Sequence, residues 1–173
     1  FMKTLYIVRH AKSSWHFNVL KDHDRPLGSR GRKQVLKMGK HLAKYIEPPD
    51  QIITSPASRA FYTALFMADA WGIDENKLTL NNALYHADQQ TLLDIIRSTV
   101  ETDVLAIFGH NPELTSLINC FHINGINNLP TCGIIGFTLD IENWRDLNSA
   151  RLTPKFYYTP RSIEEDAQPK EAN

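Results

Sequence analysis

Thr4-Leu-Tyr-Ile-Val-Arg-His-Ala-Lys-Ser13 is the stretch on which the reading of this chain turns, because a run of apolar residues stops abruptly at an arginine and a histidine. Tyr6, Ile7 and Val8 follow one another without polar interruption, as in a strand covered on both faces, so Arg9 and His10 fall at the carboxyl edge of a sheet. Open α/β sheets bind their ligands at that edge. Arg9 brings a planar cation suited to phosphate, and His10 a ring nitrogen able to act as nucleophile or proton carrier. The pair points to phosphoryl chemistry with no metal motif beside it.

Outward from this strand, residues from about Lys12 to Gly28 form a loop whose length and mixture (Trp15, Phe17, Asp22, His23, Asp24, Arg25, Pro26) suit binding. Val35, Met38, Leu42 and Tyr45 recur at helical spacing, which predicts a helix with Ser29 as N-cap, running to Ile46 and ended by Pro48-Pro49. Gln51 to Thr54 reads as a second strand. Ser55-Pro56 then supplies a cap and a first-turn proline for a helix burying Ala60, Ala64, Met67, Ala68 and Trp71. A short strand is expected near Leu78 to Leu80, and a helix carrying Leu92, Leu93, Ile96 and Val100. Val104 to Phe108 is another continuous apolar run, after which Asn111 as cap and Pro112 open a helix burying Leu114, Leu117, Ile118 and Phe121. Strands at Gly133 to Leu139 and, at the edge, Lys155 to Tyr158 complete an α/β layered sheet without repeats.

A length of 173 residues is that of one domain, here 2–161, followed by a polar tail, 162–173, expected to be disordered. Nineteen basic residues balance 19 acidic ones, so the overall field recruits neither nucleic acid nor an anionic membrane. A phosphorylated ligand has to be attracted locally. Cys120 and Cys132 lack metal-ligand spacing and read as reduced thiols. No apolar stretch approaches membrane-spanning length and no leader pattern opens the chain, where Phe1 stands before the start residue Met2; a cytoplasmic protein is expected.

Three strand ends deliver cation-capable residues to one edge: Arg9 with His10, Arg59 just inside a helix, and His110. Two of the helices that follow open with a cap and a proline, which aims free backbone N–H groups at the same region. Two guanidinium forks and a protonated imidazole can neutralise a phosphoryl group in transfer without Mg²⁺, and no carboxylate cluster is expected beside them.

Four ordered blocks, Arg9-His-Ala-Lys-Ser-Ser-Trp15, Arg25-Pro-Leu-x-x-x-Gly31, Thr54-Ser-Pro-Ala-x-Arg-Ala60 and Gly109-His-Asn111, resemble the SixA-type phosphohistidine phosphatase branch of the histidine phosphatase superfamily. The resemblance implies a phosphoglycerate mutase-like three-layer α/β/α sandwich, with a mostly parallel sheet and an antiparallel edge strand. It implies catalysis by His10 as nucleophile, with Arg9 and Arg59 clamping the phosphate and His110 bonded to a transferring oxygen, and no cofactor. His10 has to be neutral to attack, its other ring nitrogen donating a hydrogen bond, whereas His110 is expected protonated, which makes the pH dependence bell-shaped.

Further substrate-binding residues are expected at Lys12 and Arg25 on the rim, His16 where related mutases often carry asparagine, and Tyr85 and His86. Alanine at position 11, in place of the frequent glycine, steers toward the phosphohistidine branch. The glutamate by which related enzymes protonate an alkoxide is missing from Ala83 to Asp88, leaving Tyr85, His86, Asp88, Asp22 and Asp24 as candidate donors. An N-phosphorylated imidazole can leave as neutral imidazole, so the loss favours a P–N substrate. Neither the first loop nor the Gly72–Asp103 connection has room for a large lid, which suits phosphate presented on a protein surface. The expected partner is a phosphohistidine-bearing protein, or else a small phosphorylated substrate, and the chain is expected to be a monomer. The alternatives are a small-molecule phosphomonoesterase of the same superfamily and a non-catalytic phosphohistidine-binding module.

Overall fold

Strand β1 (Met2–Arg9) is buried on both faces because its side chains alternate between two apolar clusters, Leu5 and Ile7 into one, Tyr6 and Val8 into the other. The computed structural model describes residues 1–148 and 151–166. After β1 come α1 (Ser29–Tyr45), β2 (Gln51–Thr54), α2 (Ser58–Trp71), β3 (Leu78–Leu80), α3 (Gln89–Arg97), β4 (Val104–Gly109), α4 (Glu113–Phe121), β5 (Ile134–Asp140), β6 (Phe156–Tyr158) and α5 (Pro160–Asp166). The sheet order is β3-β2-β4-β1-β5-β6. Strands β1 to β4 are parallel, β5 runs antiparallel to β1, and β6 runs antiparallel to β5. The strand that reverses direction is therefore β5, one place in from the edge.

Val35, Met38 and Leu42 of α1 and Ala64, Met67 and Trp71 of α2 cover one face of the sheet, together with Ile163 of α5. Leu92 and Ile96 of α3 and Leu114, Leu117, Ile118 and Phe121 of α4 cover the other, the expected three-layer sandwich. No helix among the described residues is long and apolar enough to cross a membrane.

Several helix starts differ from the sequence reading. Gly28, not Ser29, caps α1, with its own N–H held by Lys12 O at 2.9 Å. Helix α2 starts after Ala57 because Ser55 is used in the preceding turn, its hydroxyl accepting from Ala57 N at 3.2 Å. Pro112 occupies the cap of α4, although Asn111 Oδ1 still accepts from Thr115 N at 3.2 Å. Tyr45 is exposed, its ring against His41, and Val100 lies beyond α3 in solvent.

The tail expected to be disordered from Ser162 begins as helix α5. Thr159 and Ser162 cap it reciprocally, Thr159 N donating to the Ser162 hydroxyl at 2.9 Å and Ser162 N to the Thr159 hydroxyl at 3.1 Å, and Ile163 is buried. The rest of that stretch, 167–173, lies outside the described residues.

The ends of the first loop are pinned to each other. Ser14 N donates to Pro26 O at 2.9 Å, and Gly31 in the first turn of α1 lies so close to Lys12 that an added Cβ would stand 2.0 Å from its carbonyl oxygen. Backbone cannot yield as a side-chain tip does. Gly31→Ala is expected to destabilise the fold by roughly 2 kcal/mol, the scale of overpacking in a tight site. A urea midpoint unchanged from wild type would show that the loop and α1 are not so closely joined.

Candidate active site

The register of three parallel strands brings the site together. Arg9 on β1 pairs with Gly109 on β4, and Phe108 pairs with Thr54 on β2. His10, His110 and Ser55, each one residue past its strand or pairing partner, therefore emerge side by side. His10 N donates to Gly109 O at 3.2 Å, Ser55 N to Phe108 O at 3.0 Å, and the two imidazole centroids are 5.2 Å apart.

His10 is 9% exposed, and its Nδ1 lies 2.7 Å from Ala11 O. A carbonyl oxygen only accepts, so Nδ1 carries the ring proton and Nε2 keeps its lone pair. That is the tautomer a nucleophile needs. Burial, reinforced by the charges of Arg59, Arg9 and Arg25, pushes the imidazole down to about 4.

His110 Nε2 meets Ser55 Oγ at 2.8 Å. That hydroxyl also accepts from Ala57 N, and where it donates its own proton to Nε2 the ring proton of His110 lies on Nδ1. Burial, with His10 and Arg59 adding to it, pushes His110 down to about 3. In the free protein desolvation favours the neutral form of both rings, against the expected protonation of His110.

Arg59 sits on the first turn of α2, 6% exposed. Thr63, one turn on, ties this helix to β1: its hydroxyl donates to Arg59 O at 2.7 Å and accepts from Ala11 N at 2.9 Å. Arg9 donates through Nη1 to Leu129 O at 2.9 Å. Three buried nitrogens of these residues, Arg9 Nε, Arg59 Nε and His110 Nδ1, have no hydrogen-bond partner in the protein. The two guanidinium Nε–H groups are buried donors without acceptors, a cost that an anion reaching them would offset.

One of the five candidate donors, the carboxylate of Asp22, stands beside this clamp. Asp22 Oδ2 accepts from Arg59 Nη2 at 3.0 Å and from the Tyr85 hydroxyl at 2.7 Å, its backbone oxygen accepts from Arg59 Nη1 at 2.8 Å, and Oδ1 accepts from Arg25 Nη2 at 3.0 Å. The hydrogen bond from Tyr85, then the charge of Arg59 and the bonds from both arginines, hold its carboxyl far below the usual carboxylate range despite some desolvation. Asp22 is an ionised anchor here and holds no proton to give. It turns the Nη edge of Arg59 toward itself and leaves Nε unpaired.

The other anticipated residues divide. Arg25 is buried against Asp22 and Ser13 Oγ (2.7 Å), with its guanidinium 3.5 Å from the Trp15 ring centroid. Tyr85 lies with its ring centroid 5.7 Å from that of His110, and burial and the bond to Asp22 raise its hydroxyl. The exposed His86 lies against Tyr85, ring centroids 4.0 Å apart and tilted by 47°. Lys12 and His16 are exposed, and no side-chain hydrogen bond joins either to the clamp. Asp24 pairs with His23 at 3.1 Å. Asp88 caps α3 by accepting from Thr91 N at 2.8 Å, which lowers its carboxyl. Ser55 and Thr63 were read from the sequence as a cap and an unremarked helical residue, because only the strand register shows what they touch. Cys120 and Cys132 are free thiols.

Two histidines and two arginines thus gather at one edge of a sheet of the phosphoglycerate mutase-like fold. A model of the histidine phosphatase superfamily (branch 1) matches residues 5–84, a span containing Arg9, His10 and Arg59. The matched span is 80 of the chain's 173 residues. An uncharacterized chloroplastic protein of Arabidopsis thaliana is 33% identical over 118 residues, 63% of this chain and 54% of its own length, so the match spans about half of that relative. In fold the chain is similar to SixA of Agrobacterium tumefaciens, with 24% identity, a TM-score of 0.77 and coverage of 92% of this chain and 99% of that one. It is equally similar, at 18% identity with the same TM-score and coverage, to a protein histidine phosphatase SixA complexed with tungstate.

Two measurements check the electrostatics. In ¹⁵N NMR both rings should stay neutral down to pH 5, with Nε2 the unprotonated nitrogen of His10; a midpoint near 6.5 for either ring contradicts the burial argument. Asp22→Asn leaves the buried Arg59 without its counter-charge, so the variant should melt below wild type and gain more from vanadate than wild type does. Equal gains would mean that Asp22 does not compensate Arg59.

Proposed function

We propose that this protein is a metal-free phosphatase that removes the phosphoryl group from phosphohistidine on a cytoplasmic protein, by way of a phosphohistidine at His10. The observation that carries the proposal is the neutral, tautomer-fixed His10 beside three buried nitrogens, on Arg9, Arg59 and His110, that have no hydrogen-bond partner in the protein. Nε2 of His10 attacks phosphorus while the P–N bond of the substrate breaks. The bonding pair stays on the substrate nitrogen, and the leaving ring, protonated on its distal nitrogen, departs as neutral imidazole. The guanidinium groups of Arg9 and Arg59 and the Nδ1–H of His110 meet the charge on the phosphoryl oxygens. Water then attacks the phosphoryl group on His10, giving inorganic phosphate and restoring the ring.

The acids support a P–N substrate over an ester. An alkoxide leaving group needs a proton donor, yet Asp22 is held ionised by Tyr85 and Arg59, and Asp88 is spent as a helix cap. Departure as neutral imidazole needs neither.

The test is phosphate release from a phosphohistidine-bearing protein by wild type and His10→Ala in parallel, with chelator present and an aryl phosphate for comparison. Release by wild type should exceed that by His10→Ala by about 10³-fold or more, with the ester much slower. Turnover of the ester without turnover of phosphohistidine would make the protein a small-molecule phosphomonoesterase. Binding of phosphohistidine without turnover would make it a recognition module.

A further inference from the structure

Alongside the clamp lies a groove of about 610 Å³ that none of the four catalytic residues lines. Its walls are Phe17, Pro26 and Leu27 from the first loop and Tyr62 and Phe66 from α2. Tyr62 and Phe66 follow Arg59 at three and seven residues on a continuous helix, so the groove opens one turn from the phosphate clamp, on the same face of α2. The loop beside it exposes Trp15, Phe17, Val19 and Leu20, with Trp15 at 73% and Val19 at 93%. A concentration of exposed apolar side chains on an active-site loop marks a surface made to be covered.

The charges around it have one sign. Arg32 lines the groove, and Lys12 and Arg30 line the adjoining hollow that shares Ser14, His16, Gly28 and Ser29. No carboxylate lines either, and among the described residues none of these three cations is in an ion pair, although the chain as a whole is electrically balanced. The first turn of α1 carries no acidic residue and has two arginines, against the preference of a helix start for negative charge. Apolar walls with cations on the rim are poorly matched to the hydroxyls of a phosphorylated metabolite. They match an apolar side chain flanked by carboxylates.

We propose that this groove docks the phosphohistidine-bearing protein substrate, taking an apolar side chain that lies near the phosphohistidine and pairing Lys12, Arg30 and Arg32 with acidic residues beside it. The inference rests on the phosphohistidine phosphatase reading and names what its substrate presents. The groove supplies affinity for the protein, while the clamp, one helical turn away, supplies the chemistry.

The test compares three substrates: a phosphohistidine peptide with leucine and glutamate flanking the phosphorylated residue, the same peptide with serine and lysine there, and free phosphohistidine. Wild type should favour the leucine-glutamate peptide at least tenfold in kcat/KM, mostly through KM. Phe17→Ser and Arg32→Glu should each remove most of that preference while changing turnover of free phosphohistidine less than twofold. Equal kcat/KM for the two peptides in wild type overturns the docking proposal and leaves the phosphatase reading intact. Hydrolysis of an aryl phosphate but of no phosphohistidine substrate overturns both. A concentration-dependent dimer in sedimentation that Phe17→Ser converts to monomer would assign the groove to a second copy of the chain and overturn the proposal.

Discussion

The in-register pairing of β2, β4 and β1 is the constraint on which the site depends. Arg9 opposite Gly109 and Thr54 opposite Phe108 fix where three strands end, and the next residues along, His10, His110 and Ser55, emerge together. A slip of one residue in any of these ladders would turn one of these side chains into the core and an apolar one into the cleft. The two apolar clusters hold the ladders because β1 feeds both, Leu5 and Ile7 to one face, Tyr6 and Val8 to the other. Packing energy on both sides of the sheet thereby sets the distance between two histidines.

Charge in the site is balanced across separate pieces of chain. Arg59 comes from α2, Arg25 and Asp22 from the first loop, and Tyr85 from the turn before α3, yet one carboxylate engages all three partners. This arrangement lets two guanidinium groups be buried close to a neutral histidine, where mutual repulsion alone would spread them apart. It also explains how the site keeps His10 unprotonated: cations and low dielectric act in the same direction on its ring.

Much of this was legible in the sequence, and the illegible part has a common cause. Apolar runs ending in Arg9-His10 and in Gly109-His110 announce strand ends directly, and the helical spacing of Val35, Met38 and Leu42 gives α1 its buried face. What depends on partners far along the chain was hidden. Ser55 reads as a helix cap until β4 places His110 against it. Asp22 reads as one acid among five until the path of an irregular loop, which has no periodicity to follow, lays it on Arg59. His110 reads as a cation because its surroundings, and so its desolvation, are set only by the folded core. Ile163 is a single apolar residue in a polar stretch, too little for periodicity but enough to seat α5.

The pinned base of the first loop sets its tip apart from the clamp. Ser13 bridges Leu27, Ser14 and Gly28 are bonded across the same neck, and Gly31 leaves no room between α1 and Lys12. Residues 16–20 hang from this neck as a tip with no side-chain hydrogen bond to His10 or to the anchor at Asp22, while Trp15 at its root covers the guanidinium of Arg25. Replacing that tip alone would leave the clamp's hydrogen bonds in place, which makes it the segment to graft in a redesign.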